Sequence, residues 1–228
     1  MKPLRPFFSY FGAKWRIAPK YPAPRHEIVV EAFAGSAGYA LRHHSRRVLL
    51  CEANPKVRDL WRWLIGVDAE EIRRLPLLRI DQNVADLAVR SEAATLIGLW
   101  CSKGTASPHT RLSAWAKKWP RQFWGVEMRE RVASQVDAIR HWTVLDDYRA
   151  AANDASTWFV DPPYEAQGHH YPTPAVDYPS LRSWCESRRG QVIVCEAHGA
   201  TWAPFVPFAE ARTLRGTHHE VVWIPRDD

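Results

Sequence analysis

The sequence predicts an α/β fold with a mostly parallel central sheet, helices on both faces and a helical insertion. Short apolar runs recur at 28–33, 47–52, 142–145, 157–160, 191–195 and 220–224. Continuous runs of that length belong to strands buried on both faces. Helical periodicity fills much of the space between them, which favours parallel strands joined by crossovers.

The first run, Ile28-Val29-Val30-Glu31-Ala32-Phe33, breaks into the small-residue turn Ala34-Gly35-Ser36-Ala37-Gly38. Tyr39-Ala40-Leu41-Arg42 then reads as a helix start. The second run ends at an acid, Glu52. Asn54-Pro55 opens a helix that carries Val57, Leu60, Trp61 and Leu64 on one face, and Pro55 suits its first turn. From 67 to 140 the alternation stops and the chain reads as mainly helical. Its clearest helix is 127–140, where Val132, Val136 and Ile139 are spaced i, i+4, i+7. Residues 1–66 and 141–228 are therefore assigned to one domain and 67–140 to an insertion. A chain of 228 residues has length enough for one such core.

Composition narrows the class. Hydrophobic residues make up 46% and charged residues 25%, as in ordinary soluble domains. No run reaches membrane-spanning length, and the first residues lack the apolar segment of a signal peptide. Cys51, Cys101, Cys185 and Cys195 form no CxxC pair and read as reduced thiols, so the cytoplasm is the expected location. The paired histidines His43-His44, His169-His170 and His218-His219 lack the i, i+4 spacing of zinc helices, and no metal is expected. The net charge of +6 is Arg-rich, compatible with phosphate contacts. Twelve tryptophans supply rings for the core and for stacking on bases.

Four groups fall at the carboxyl ends of the expected strands, where open α/β sheets bind ligands. They are the turn at Ala34-Gly35-Ser36, the acid Glu52, the pair Asp147-Tyr148, and Asp161-Pro162-Pro163-Tyr164. The small residues allow close backbone approach to a ligand. An acid ending the next strand is placed to bond ribose hydroxyls. In the last group the prolines stiffen the turn and remove backbone donors. A carboxylate, free carbonyls and a flat ring then suit a planar substrate that presents an NH2 group, such as a nucleobase. A plain proline-rich turn is the competing account of that motif alone.

The order of these motifs over nearly the whole chain resembles the Dam-type (D12 class) DNA N6-adenine methyltransferases, particularly their small phage-encoded members. The resemblance implies a Rossmann-like fold dependent on S-adenosylmethionine (SAM), located in the host cytoplasm if phage-encoded. Tyr10-Phe11-Gly12-Ala13-Lys14-Trp15 is similar to the family's N-terminal motif, so that Tyr10 would border the cofactor and Lys14 would pair with its methionyl carboxylate. Glu31-Ala32-Phe33-Ala34-Gly35-Ser36 is similar to the main SAM loop, with Phe33, Ala34, Gly35 and Ser36 against the cofactor. This chain has Ala32 and Ala37 where the family often has Pro and Gly. Glu52 would hold the ribose, and Asp147 and Tyr148 would frame the adenine. Asp161, Pro162 and Tyr164 would be catalytic, with Asp161 also beside the cofactor. Pro163, His169, His170 and Tyr171 are expected to line the target-base pocket, with an exposed loop the competing account of the last three. His218-His219-Glu220-Val221 resembles the family's C-terminal strand.

The resemblance implies DNA as the partner and 67–140 as the candidate target-recognition region. Within it, Trp115, Lys117, Lys118, Trp119, Arg121 and Trp124 interleave basic and aromatic residues. They suit a DNA-facing loop, and equally a solvated face with tryptophans turned inward. Asp at the head of the catalytic motif favours adenine. Cytosine N4, RNA, a protein amide, and a non-catalytic DNA-binding module of the same fold remain alternatives. Nothing calls for a membrane or an obligate protein partner, and both a monomer and a homodimer are compatible with the sequence.

Overall fold

The computed structural model describes residues 2–166, 171–172, 175–213 and 216–225. Among the described residues seven strands form one sheet: β1 Ile28–Glu31, β2 Arg47–Cys51, β3 Thr143–Leu145, β4 Ser156–Val160, β5 Gly190–Ala197, β6 Val206–Thr213 and β7 Gly216–Trp223. Their spatial order is β3-β2-β1-β4-β5-β7-β6. The first five in that order run parallel to one another, and β7 is antiparallel to both β5 and β6. The order runs outward one way from β1 through β2 to β3, and the other way from β4 to β5. The point between β1 and β4 is thus the topological switch of a Rossmann-like sheet, where a crevice opens at the strands' carboxyl ends.

The apolar runs become strands because both faces of the sheet are covered. Every residue of β4 is buried. Phe159 joins Val29, Leu50 and Ile193 in a cluster on one face. Trp158 and Val160 join Val30, Val192 and Val194 on the other. Helix α1, Pro55–Gly66, covers the first face with Val57, Leu60, Trp61 and Leu64, as its periodicity predicts. The Asn54 side chain caps it by accepting from the Lys56 N–H, and Pro55 takes the first turn.

Between them, residues 67–140 hold four helices: α2 Ala69–Arg74, α3 Ser91–Leu99, α4 Trp115–Lys118 and α5 Val126–Ala133. Helix α6, Tyr178–Glu186, follows and covers the second face with Leu181 and Cys185. Leu96, Ile97, Trp100, Val132, Val136 and Ile139 lie in the same cluster as Trp61 and Phe159. The inserted region therefore extends the first-face core and has no separate core of its own.

Two local readings differ from the structure, and one strand has no counterpart among the apolar runs. The expected helix over 127–140 stops at Ala133 and continues as a 3-10 turn, Val136–Ile139. Gln135 sits at the break, and its side chain bonds both backbone groups of Arg5. The apolar spacing is real burial, but it is met by two short pieces. Tyr39-Ala40-Leu41-Arg42 forms only a 3-10 turn, Ala40–Arg42, because few residues separate β1 from β2. Strand β6 has no alternating signal, since it is an edge strand with Pro207 and an irregularity between Pro207 and Ala209.

Gly190 opens β5 with φ +97°, and an added Cβ would sit 2.4 Å from the Ser156 carbonyl oxygen of β4. Gly190→Ala is expected to destabilise the protein by about 2 kcal/mol or more, from left-handed strain plus the clash. Urea unfolding checks this, and an unchanged midpoint contradicts it.

Candidate active site

A cavity of about 220 Å3 opens at the carboxyl ends of β1, β2, β3 and β4. One water needs only about 15 Å3, so the space is roomy enough for a small organic ligand. Its wall includes Tyr10, Lys14, Glu31, Phe33, Ala34, Gly35, Ser36, Glu52, Asp147, Tyr148, Asp161, Pro163 and Tyr171, and most of these are residues singled out by sequence. Pro162 and Tyr164 are not in that wall. His169 and His170 lie outside the described residues.

The turn after β1 is held from both sides. The Gly35 N–H donates to Glu52 Oε2 at 2.9 Å, and the Gly35 carbonyl accepts from the Trp61 indole at 2.8 Å. Gly35 has φ +46°, a conformation suited to glycine. Ala37, at φ +54°, takes the left-handed conformation without glycine, at a cost of roughly 1 kcal/mol. Gly38 serves a different purpose. An added Cβ there would lie 2.5 Å from the Trp15 backbone nitrogen, so glycine lets the Lys14-Trp15 segment press against the turn.

That contact delivers Lys14 to the carboxylates. Its Nζ lies 2.9 Å from Asp161 Oδ1 and 3.8 Å from Glu220 Oε1, and it donates to the Gly12 carbonyl at 3.0 Å. The Asp161 Oδ1 approach is an ion pair without a directed hydrogen bond. The same ammonium sits 4.6 Å from the Tyr164 ring centroid, and the Tyr164 hydroxyl donates to Glu220 Oε2 at 2.5 Å. Burial alone would lower the Lys14 pKa, but Asp161 and Glu220 together raise it, so the lysine is held charged. Burial pushes Asp161 up to about 6, against the pull of Lys14 and with a further push from Glu220. The resemblance gives Lys14 a cofactor carboxylate. In the structure its partners are the carboxylates of the chain itself.

Around this cluster the other residues named from the sequence are held by different contacts. Phe33 and Tyr148 pack with ring centroids 5.0 Å apart, and Arg149 lies 4.8 Å from the Tyr148 ring. Asp147 caps the turn that starts at Tyr148 by accepting from the Arg149 N–H at 2.8 Å. Tyr171 folds against Phe11, with centroids 5.7 Å apart. The Pro163 carbonyl accepts the Tyr178 hydroxyl at 2.7 Å. Ser36 Oγ is buried with no hydrogen-bond partner among the described residues.

Two buried or nearly buried acids, Glu31 and Glu220, stand in motifs that the sequence marks but receive no role of their own there. Glu31 is an acid inside an otherwise apolar strand run and Glu220 an acid at the head of one, and that is the signal that marks them. Glu31 is 2% exposed and accepts from the Ala40 N–H at 2.6 Å. Burial is the main force raising its pKa to about 8, with the Ala40 N–H opposing and the nearby Asp161 charge adding to the rise. Burial likewise raises Glu52, although its two oxygens accept from Gly35 and Asn54.

No family described by a sequence pattern matches this chain. No curated protein matches it either. Among solved structures, it is similar to a conserved hypothetical protein from Streptococcus pyogenes, with 14% identity over 94% of each chain and a TM-score of 0.40.

Glu31 has a folded pKa above its ordinary value of 4.5. The folded state thus keeps a proton that the unfolded chain has released, and stability falls as pH rises from about 4.5 to about 8. Asp161 adds to the fall only below about pH 6. Glu31→Gln is expected to remove a slope of up to about 1.4 kcal/mol per pH unit between pH 6 and 8. Thermal melts across that range test it, and parallel pH curves for the variant and the parent contradict it.

Proposed function

We propose that the protein transfers a methyl group from SAM to the exocyclic N6 of a flipped-out adenine in DNA. One observation carries this reading. The small-residue turn after β1 and Asp161-Pro162-Pro163-Tyr164 after β4 meet across the switch point of the sheet, on adjacent strands and beside one cavity. The strand order, with one reversed strand near its edge, fits the Rossmann-like sheet that the resemblance implies.

The cavity residues fit the cofactor. Ser36 Oγ is a buried polar atom without a partner in the wall, and Ala34 and Gly35 leave the backbone approachable. Phe33 and Tyr148 supply flat faces for an adenine, with Asp147 at its edge. Glu52 would accept from the ribose hydroxyls, and Tyr10 and Tyr171, with ring centroids 6.4 Å apart, would border the cofactor. SAM, when bound, supplies an electrophilic methyl group.

The chain's own residues then prepare the amine. A nucleobase amine is a weak nucleophile because its lone pair is delocalised into the ring. Asp161 accepts a hydrogen bond from the amine, which favours a geometry with the lone pair free, and the amine releases one N–H proton once its new C–N bond has formed. Lys14 counters the effect of burial and keeps Asp161 ionised at neutral pH. The Tyr178 hydroxyl occupies the Pro163 carbonyl, which leaves that of Pro162 as the second acceptor. Glu220 fixes the Tyr164 ring by its hydroxyl, ready to stack on the base. Catalysis comes from positioning and electrostatics. Flipping the base costs a few kcal/mol, offset by phosphate contacts and stacking.

Asp161→Asn is expected to lower methyl transfer to DNA by about 100-fold or more while changing SAM affinity little. In the parent the rate falls as pH drops through about 6, because the carboxylate becomes protonated. The residual rate of Asp161→Asn lacks that limb. Labelled-methyl incorporation with calorimetric SAM titration measures both quantities. Full activity in the variant contradicts the role of Asp161.

A further inference from the structure

The stretch from 93 to 126 contains no Asp or Glu, yet holds Lys103, Arg111, Lys117, Lys118 and Arg121. Its net charge is +5, against +6 for the whole chain. It also holds four tryptophans, and the structure separates them into two kinds. Trp100 and Trp124 are buried, and their indoles donate to the carbonyls of Phe7 and Pro76. Trp115 and Trp119 are 62% and 50% exposed. They sit one helical turn apart, with the Trp119 N–H donating to the Trp115 carbonyl. A core role explains the first pair and leaves the second pair unexplained.

The cations between and around these rings are open. Among the described residues no carboxylate pairs with Arg111, Lys117 or Lys118. Arg121 reaches Glu127 at 3.1 Å, but its side chain is 85% exposed. The Lys118 ammonium lies 5.8 Å from the Trp119 ring. The patch also has a fixed relation to the cavity. The Phe11 N–H, on the cavity wall, donates to the Thr105 carbonyl at 3.0 Å. The Ser113 N–H then bonds the Cys101 carbonyl, which closes the loop at the point where α4 begins.

We infer that α4 and the turn after it form a nucleic-acid docking surface, in which Trp115 and Trp119 stack on unpaired bases beside the target while Lys117 and Lys118 hold phosphates. The inference rests on the proposed DNA substrate and adds the element that grips it. Exposed indoles flanked by cations suit single-stranded or locally opened DNA, because stacking needs a base face free of its neighbours. A second copy of this chain would bring the same +5 surface against itself, and like charges oppose that contact.

Anisotropy titrations of labelled single-stranded and duplex oligonucleotides at several salt concentrations test the surface, using the full chain. The double variant Trp115→Ala/Trp119→Ala is expected to weaken single-strand binding about tenfold or more, with the salt dependence unchanged. Lys117→Ala/Lys118→Ala is expected to lower the slope of log affinity against log salt by about 1–2. Unchanged thermal midpoints and SAM affinity establish that both variants are folded. Parental affinity in the tryptophan variant overturns the inference, and so does a loss confined to the lysine variant. Parental protein that binds neither oligonucleotide overturns it as well. A parent that methylates DNA while the tryptophan variant keeps full affinity fails this inference alone. Binding through the patch without methyl transfer leaves the inference standing and fails the functional reading alone.

Discussion

A buried lysine between two carboxylates ties this molecule together. Lys14 comes from the irregular N-terminal segment, Asp161 from the end of β4 and Glu220 from β7. Removing one partner of a buried pair typically costs about 3–5 kcal/mol, because the other charge is left uncompensated. The cluster therefore requires all three chain regions to reach their places together. Gly38 admits the Lys14 backbone, Phe7 and Phe8 pack on Trp61, and the reversed β7 lies beside β5. The same ion pair that joins the N-terminal segment to the sheet also sets the charge on Asp161. Structure and proposed chemistry here depend on one electrostatic balance.

Much of the sheet was legible because burial on both faces produces continuous apolar runs. Six of its strands fall on runs that the sequence displays, and α1 follows from Asn54-Pro55 and its apolar face. β6 was not legible, since an edge strand carrying Pro207 needs neither alternation nor a ladder bond at every residue. The break in the expected helix at 127–140 was also hidden. It depends on Gln135 meeting Arg5, a contact between residues remote in sequence.

The site was legible as motifs but not as a network. Sequence marks Asp161, Glu52 and the small-residue turn by their positions at strand ends. It does not show that Trp61 anchors the Gly35 carbonyl, nor that Glu220 holds Tyr164, because both are tertiary contacts. Ala37 shows the limit of reading a loop by its glycines. The left-handed conformation persists there without glycine, stabilised by the packed surroundings of a fully buried residue. In the middle region, interleaved tryptophans and cations gave two equal readings. Burial divides them, with Trp100 and Trp124 in the core and Trp115 and Trp119 outside.

The proposed chemistry brings the amine of an adenine to Asp161. Nucleoside mass spectrometry of DNA incubated with the protein and methyl-labelled SAM tests it most directly. Label in N6-methyladenine is the expected result. Label in N4-methylcytosine, or label in RNA or protein with none in DNA, contradicts it.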